Sequence, residues 1–401
     1  MEKLFLFQNN LLKNVDSKFK RYLYKDINFE NRMIGIKGIR GVGKTTLMLQ
    51  YLKTQNLDKS LYVTLDHPYF YQHDLLSTAE EWSRLGGNLL IIDEVHKYSN
   101  WSQELKNIYD GLPNMKIIFS ASSALDIYRG EADLSRRVFT YTLHGMSFRE
   151  YLEFNEIAQL PVLELDEILK NHMNVARIAI AKLPIPLVHF KNYLKYGYLP
   201  FGNRLTNQQL EEEYLIKVFQ IIDATLAYDM AFINEYSSVH QTKIKKLLAI
   251  LADSVPFVPN TSELAAHLEL SRNTLLLFFE HLEKAALINK VNKTGKGTSV
   301  LQKPDKILLE NSNFSFALTQ NPAEGTIRET FFLNQIKNKN LKIELAAQGD
   351  FFVEDKYTFE VGGKSKKQKQ ILGIPDSYLV KDNIEIGFAN SIPIWLFGLM
   401  Q

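Results

Sequence analysis

The sequence of 401 residues predicts an α/β protein whose N-terminal part is a parallel sheet covered by helices and carrying a phosphate-binding loop. Three observations predict it. Apolar runs at 33–36, 60–65, 88–92, 115–120 and 138–143 alternate with amphipathic stretches, the pattern of strands joined by helical crossovers. The first run leads directly into Gly38-Ile39-Arg40-Gly41-Val42-Gly43-Lys44-Thr45-Thr46, and a helix-like Leu47-Met48-Leu49 follows. The third run ends in paired carboxylates, Asp93-Glu94.

Ahead of the first strand, residues 8–28 read as a helix with Leu11, Leu12, Val15, Phe19, Tyr22 and Leu23 on one face, packing against the sheet. The loop after the strand fits G-x-x-x-x-G-K-[ST] as Gly38, Gly43, Lys44 and Thr45. Backbone N–H groups wrap a polyphosphate only where no Cβ obstructs them, and the following helix presents its positive dipole end. Gly38, Gly41, Val42, Gly43, Lys44, Thr45 and Thr46 are therefore the expected nucleotide-binding residues. Lys44 is expected to reach the β- and γ-phosphates of ATP and the Thr45 hydroxyl to ligate Mg²⁺.

A buried strand that ends in charge places that charge at the sheet edge, where the phosphates of such a protein lie. Asp93 is then a Mg²⁺ ligand beside Thr45, and Glu94 orients or deprotonates the attacking water. The fourth strand ends Phe119-Ser120-Ala121-Ser122-Ser123. A hydroxyl at this strand end is placed to bond the γ-phosphate or the water, and helix capping by Ser122 or Ser123 explains the pattern equally well. Arg136 and Arg137 immediately precede the fifth strand. One of them neutralises a neighbouring subunit's γ-phosphate, or the pair makes surface ion pairs.

From residue 147 the strand signal stops, and the stretch to about 236 reads as helices punctuated by Pro161, Pro184, Pro186 and Pro200. Within it, the tract from Lys191 to Tyr198 interleaves lysines and tyrosines. It suits a helix face that buries its tyrosines better than a surface for stacking nucleobases. Residues 261–268 and 271–286 form two short helices, followed by a strand at 287–291 and a turn carrying Lys293 and Lys296. This is the outline of a winged helix. The remaining chain returns to strands near 342–345, 351–353, 357–361, 377–380 and 392–397, after a helix at 327–337. The expected domains are thus 1–150, 151–236, 237–300 and 301–401.

Composition narrows the partners. A net charge of +2 gives no overall field favouring nucleic acid or an anionic membrane, so DNA binding must rest on a local patch. The absence of cysteine rules out disulfides, thiolate metal sites and a thiol nucleophile, and is compatible with a reducing cytoplasm. No apolar run is long enough for a membrane span, which leaves a soluble, cytoplasmic protein as the expectation.

The stretches Ile36 to Thr46, Ile91 to His96, Phe119 to Ser123 and Leu143 to Leu152 together resemble the prokaryotic AAA+ family ATPases that carry a C-terminal winged helix and a restriction-endonuclease-like domain. The resemblance runs the whole length. It implies Lys44 and Thr45 as Walker A residues, Asp93 and Glu94 as Walker B, Ser120 or Ser122 as sensor 1, and Arg136 or Arg137 as an arginine finger in a homo-oligomer. Where family members show a Thr-Gly-Ser-like strand end, this chain has Ser120-Ala121-Ser122. A nuclease of the PD-(D/E)xK type needs two acids for a metal and a lysine for the phosphate. Glu329, Asp350 and Glu360 supply acids, but Gly362 stands where the lysine belongs. Lys364 is the nearest substitute, and a nuclease-like scaffold without catalysis is the favoured reading.

Overall fold

The computed structural model describes residues 1–121, 134, 136–201, 208–229, 238–253, 260–293 and 303–401. The chain forms two compact units, Met1–His144 and Gly145–Gln401.

The first unit is built on five strands: β1 (Met33–Lys37), β2 (Ser60–Thr64), β3 (Leu89–Asp93), β4 (Lys116–Ala121) and β5 (Phe139–Thr142). They lie in the order β2-β3-β4-β1-β5 and every pairing is parallel. Strands buried on both faces read as unbroken apolar runs, which is why β1 to β4 were legible without alternation. The crossover helices include α3 (Lys44–Leu52), α4 (Leu75–Arg84) and α5 (Trp101–Gly111). Leu61, Val63, Leu90, Ile92, Ile117 and Phe119 fill the core beneath α4 and α5.

The N-terminal helix differs from expectation. Instead of 8–28, α1 spans Glu2–Asn14 and a single turn, α2, spans Leu23–Asp26. The break has a local cause and a distant one. The Lys18 N–H bonds the Asp16 carboxylate at 2.8 Å, a turn that competes with helix. The Gln50 amide on α3 donates to the carbonyls of Asp16 and Phe19, both at 2.8 Å, taking acceptors a helix would have used. α1 instead covers the open edge of β2. The Gln8 amide accepts from the Tyr62 N–H at 2.6 Å and donates to the Ser60 carbonyl at 3.4 Å, so the edge strand finds side-chain partners on the side where, among the described residues, no strand pairs with it.

The second unit opens with α6 (Phe148–Phe154), whose capping box pairs Ser147 with Glu150. α7 (Leu165–Lys182), α8 (Pro186–Tyr196) and α9 (Gln208–Ala224) follow, with Pro186 in the first turn of α8, where its missing N–H costs nothing. The lysine–tyrosine tract closes α8 with Tyr193, Tyr196 and Tyr198 buried and Lys191 exposed. Next come α10 (Ser238–Asp253), α11 (Thr261–His267) and α12 (Arg272–Lys284). β6 (Ile288–Val291) pairs antiparallel with β7 (Lys306–Leu309), so this ribbon crosses the boundary expected at residue 300. Lys296 of the intervening turn lies outside the described residues.

α13 (Ser312–Leu318) and α14 (Glu324–Asn338) lead into β8 (Ile343–Leu345), β9 (Phe351–Val353), β10 (Tyr357–Gly362), β11 (Ser377–Lys381) and β12 (Ser391–Pro393). The sheet order is β12-β11-β10-β9-β8, antiparallel from β8 to β10 and parallel from β10 to β12. The run expected as a strand at 392–397 is strand only to Pro393. Residues Ile394–Leu399 turn into a 3₁₀ helix that buries Trp395, Leu396 and Phe397, a reminder that a short apolar run fits buried strand and buried turn alike. One apolar core joins Phe148, Phe190 and Tyr193 of the helical stretch to Phe331, Phe332 and Trp395 of the C-terminal part.

Candidate nucleotide site at the carboxyl edge of the parallel sheet

The glycine loop joins β1 to α3, and each glycine answers a different constraint. A Cβ at Gly38 would lie 2.3 Å from the Leu143 carbonyl oxygen, so the loop can pass β5 only without a side chain. Gly41 and Gly43 have φ of +81° and +98°, a region where L side chains are strained. Gly43 is also the N-cap of α3 and offers no side chain to the first-turn N–H groups. Those donors therefore point out of the helix end, as anion binding requires. Lys44 is buried, with its ammonium donating to the carbonyls of Gly38 at 2.8 Å and Ile39 at 3.0 Å. The loop thus folds around its own cation. Val42 is buried, while Gly41 and Thr46 are exposed.

Asp93 ends β3 and organises the floor of the site. Its Oδ2 accepts from the Thr45 hydroxyl at 2.6 Å and from the Tyr62 hydroxyl at 2.8 Å. Its Oδ1 accepts from the Ser120 hydroxyl and from the Glu94 N–H at 3.1 Å, and that N–H also reaches Ser120 Oγ at 3.1 Å. Ser120 stands opposite Ile36 in the β1–β4 register, so β4 carries it between the loop and the carboxylates. Burial, and then the Asp93 charge, hold the Tyr62 phenol far above its ordinary range, so it stays a proton donor at any working pH.

Glu94 takes left-handed backbone, φ +56°, which turns its side chain away from the strand direction. Its Oε2 lies 3.4 Å from His96 Nε2, 3.4 Å from Lys97 Nζ and 4.0 Å from Arg40 Nη1. Lys97 also donates to Asp66 at 2.6 Å, and Thr64 reaches the same carboxylate at 2.5 Å. Burial opposes it, yet these bonds hold the Asp66 carboxyl below its usual range. Sequence reasoning missed Tyr62, Arg40, His96 and Lys97 in these roles, because Arg40 fills a variable position of the glycine loop and the pattern requires no particular residue at the other three.

The two arginines part company. Arg137 forms a fork with Asp110 of α5, Nε to Oδ1 at 2.9 Å and Nη2 to Oδ2 at 2.8 Å, whereas Arg136 is exposed. Ser122 and Ser123 lie outside the described residues. Among the described residues no group of three or more His, Cys, Asp or Glu side chains is arranged to hold a metal. The Thr45 hydroxyl against the Asp93 carboxylate nevertheless gives the hard oxygen pair that suits Mg²⁺, an ion that takes its other ligands from phosphate and water.

Two of the three acids expected at a nuclease site, Glu360 and Glu329, are paired with lysines. Glu360 is fully buried and bound to Lys366 rather than to Lys364, and Glu329 on α14 is bound to Lys306. Asp350 accepts from the Val361 N–H at 2.8 Å. A Cβ at Gly362 would lie 2.6 Å from Lys366 Cγ, so Lys366 fills the space that a side chain at 362 would need.

A glycine loop after β1, a carboxylate pair closing β3 and a hydroxyl closing β4, all at one edge of a parallel sheet, define a P-loop nucleotide-binding domain. Residues 30–152 match the family described as an AAA domain, in keeping with a P-loop domain in this part of the chain. Over its length the chain is similar to an uncharacterized protein of Methanocaldococcus jannaschii, 28% identical and covering 95% of this chain and 85% of that one. Among solved structures, AMPPCP-bound DnaA from Aquifex aeolicus shares 16% identity at a TM-score of 0.25, covering 70% of this chain and 88% of its own. PCH-2 of C. elegans shares 17% at a TM-score of 0.27, covering 53% and 62%. Scores this low describe a loose likeness. Among the described residues no helix is long and apolar enough to cross a membrane.

Proposed function

We propose that the chain is a Mg²⁺-dependent ATPase whose first unit hydrolyses ATP and thereby changes the state of its second. The observation that carries the reading is Asp93, which gathers Thr45, Tyr62, Ser120 and the Glu94 N–H on one carboxylate at the mouth of the glycine loop. Bound Mg²⁺ would neutralise phosphate charge, held by Thr45 and Asp93. Lys44 exchanges the Gly38 and Ile39 carbonyls for phosphate oxygens, and the α3 N–H groups orient the chain of phosphates. Glu94 accepts a proton from the attacking water, and Ser120 fixes the Glu94 backbone. Arg136, exposed and just ahead of β5, is the better placed of the two arginines to serve a neighbouring copy, since Arg137 is committed to Asp110.

The second unit supports a narrower reading. α11, α12 and the β6–β7 ribbon follow the order of a winged helix, and Arg272 and Asn273 are exposed at the start of α12 while Leu275, Leu276, Phe278 and Phe279 are buried. DNA is the partner this face suits. The lysine-paired carboxylates favour a nuclease-like scaffold without metal-dependent cleavage. A cysteine-free chain of this kind suits the cytoplasm. The deciding experiment is steady-state phosphate release by the purified full chain with Mg²⁺-ATP, with and without duplex DNA. No release above that of a Lys44→Ala variant would overturn the ATPase reading.

A further inference from the structure

Arg21 belongs to no regular element, lying in the interrupted stretch between α1 and α2, and only 5% of it is exposed. Its Nη1 donates to the Val42 carbonyl at 2.5 Å and its Nη2 to the His144 carbonyl at 2.7 Å. Val42 stands in the glycine loop, two positions before Lys44. His144 is the last residue of the first unit, where the chain leaves for the second. One buried guanidinium therefore bridges the nucleotide loop and the exit of the domain.

Other contacts draw the same two segments together. The Leu143 N–H donates to the Lys37 carbonyl at 2.8 Å, and the Leu143 carbonyl fills the space a side chain at Gly38 would need. The Tyr22 hydroxyl donates to the Thr142 carbonyl at 3.3 Å. The Leu143 bond fixes the exit against the end of β1, the Tyr22 bond ties Thr142 to the stretch that carries Arg21, and Arg21 itself reaches Val42 and His144 at once. A guanidinium is a rigid planar fork, so its two donors cannot follow independent movements of their acceptors. When Lys44 leaves the carbonyls of Gly38 and Ile39, the loop backbone must readjust. A shift of the Val42 carbonyl then either carries His144 with it or breaks a charge-assisted bond.

We infer that Arg21 is a positioning residue that couples occupancy of the glycine loop to the segment 142–144 leading into the second unit. The inference rests on the reading of the loop as an ATP site. Arg21 holds the Val42 carbonyl while the loop N–H groups face the phosphates, and it reports their arrangement to His144 through its second arm. Lysine, with its donors on one point-like ammonium at the end of a flexible stem, can bond a carbonyl but cannot hold two of them in a fixed planar fork.

The test is hydrogen exchange in residues 139–146 of the full chain, with and without Mg²⁺ and a non-hydrolysable ATP analogue, alongside the dissociation constant of that analogue. In the wild type the analogue is expected to slow exchange at 142–144 by about fivefold or more, as a tightened local structure does. Arg21→Lys is expected to bind the analogue within about threefold of wild type, under 1 kcal/mol, yet to lose that slowing. Arg21→Ala should lose it too. If Arg21→Ala does not fold, the lysine variant carries the test, because the readout is a difference on adding ligand and not a stability. Equal slowing in wild type and Arg21→Lys overturns the coupling. So does a wild type that binds the analogue with no change at 142–144. A wild type that binds no analogue overturns the ATP reading, and the inference with it.

Discussion

The Thr45 hydroxyl and the Asp93 carboxylate meet at 2.6 Å across the carboxyl edge of the sheet, one from the start of α3 and one from the end of β3. They are far apart in sequence and adjacent only because β4 alone separates β1 from β3. This pair joins the glycine loop to the carboxylate that shapes the rest of the site. Substituting either partner should therefore separate binding from turnover. Asp93→Asn keeps the shape, removes the charge and replaces one of the two accepting oxygens with an N–H donor. We expect it to retain ATP within about tenfold while losing Mg²⁺-dependent turnover by at least about a hundredfold. Titration with a fluorescent nucleotide beside a phosphate-release assay checks it. Undiminished turnover would remove Asp93 from the metal-holding role.

Glu94 offers a sharper separation. Its N–H is bound by Asp93 and Ser120, so replacing the side chain leaves the backbone in place. Glu94→Gln should bind ATP as tightly as wild type and hydrolyse it about a hundredfold or more slowly, the usual worth of a positioned general base. Turnover equal to wild type would end the assignment.

Tyr62 tests the support of the carboxylate. Tyr62→Phe removes one of the donors to Asp93 Oδ2 and leaves Thr45 in place, so the buried oxygen stays partly satisfied. The expected cost is about 1 kcal/mol of stability in the first unit, with a few-fold higher Mg²⁺ requirement for turnover. Denaturant unfolding and a Mg²⁺ titration read the two effects separately, and no change in either would make the Tyr62 contact incidental.

Strands β1 to β4 were legible because they are buried on both faces, and the loop and Asp93-Glu94 because their spacing along the chain is the chemistry itself. What escaped was set by contacts between distant residues. Gln50 binds the carbonyls of Asp16 and Phe19, which the helical periodicity around Leu11 to Leu23 cannot reveal. Tyr62 and Arg21 act from positions with no motif. Lys366 rather than Lys364 reaches Glu360 because the chain turns back after Gly362, and counting along a sequence does not see a turn.

That lysine gives a prediction of its own. Lys366→Ala leaves the Glu360 carboxylate fully buried without its ammonium partner. The Lys366 side chain is 36% exposed, so water screens part of the loss, and we expect a cost of about 2 kcal/mol, less than for a fully enclosed pair. Combining Lys366→Ala with Glu360→Gln should recover most of it, since position 360 then carries no unpaired charge. If the carboxylates are structural, wild type should not nick plasmid DNA with Mg²⁺ or Mn²⁺. Nicking that disappears in Asp350→Ala would reverse this.

Glu310 gives the second unit a pH dependence of definite sign. Its carboxylate is buried just past β7, taking hydrogen bonds from the Asn289 amide at 2.8 Å, the Tyr198 hydroxyl at 3.4 Å and the Asn334 amide at 3.4 Å. Burial pushes it up to about 7, against the pull of Lys337 and the Asn289 and Tyr198 bonds, with Glu283 adding a little. An unfolded glutamate titrates near 4.3, so between about 4.3 and 7 the folded state binds more protons than the unfolded one. Stability is fully present below the unfolded value and falls as pH rises through the folded one, by about 4 kcal/mol in total. Glu310→Gln keeps a neutral acceptor for Asn289 and cannot ionise. Its unfolding free energy should match wild type near pH 5, exceed it by about 2 kcal/mol near pH 8, and show a flatter profile between. Urea unfolding of both proteins across that range measures the difference, and parallel profiles would mean that Glu310 is already ionised at pH 5.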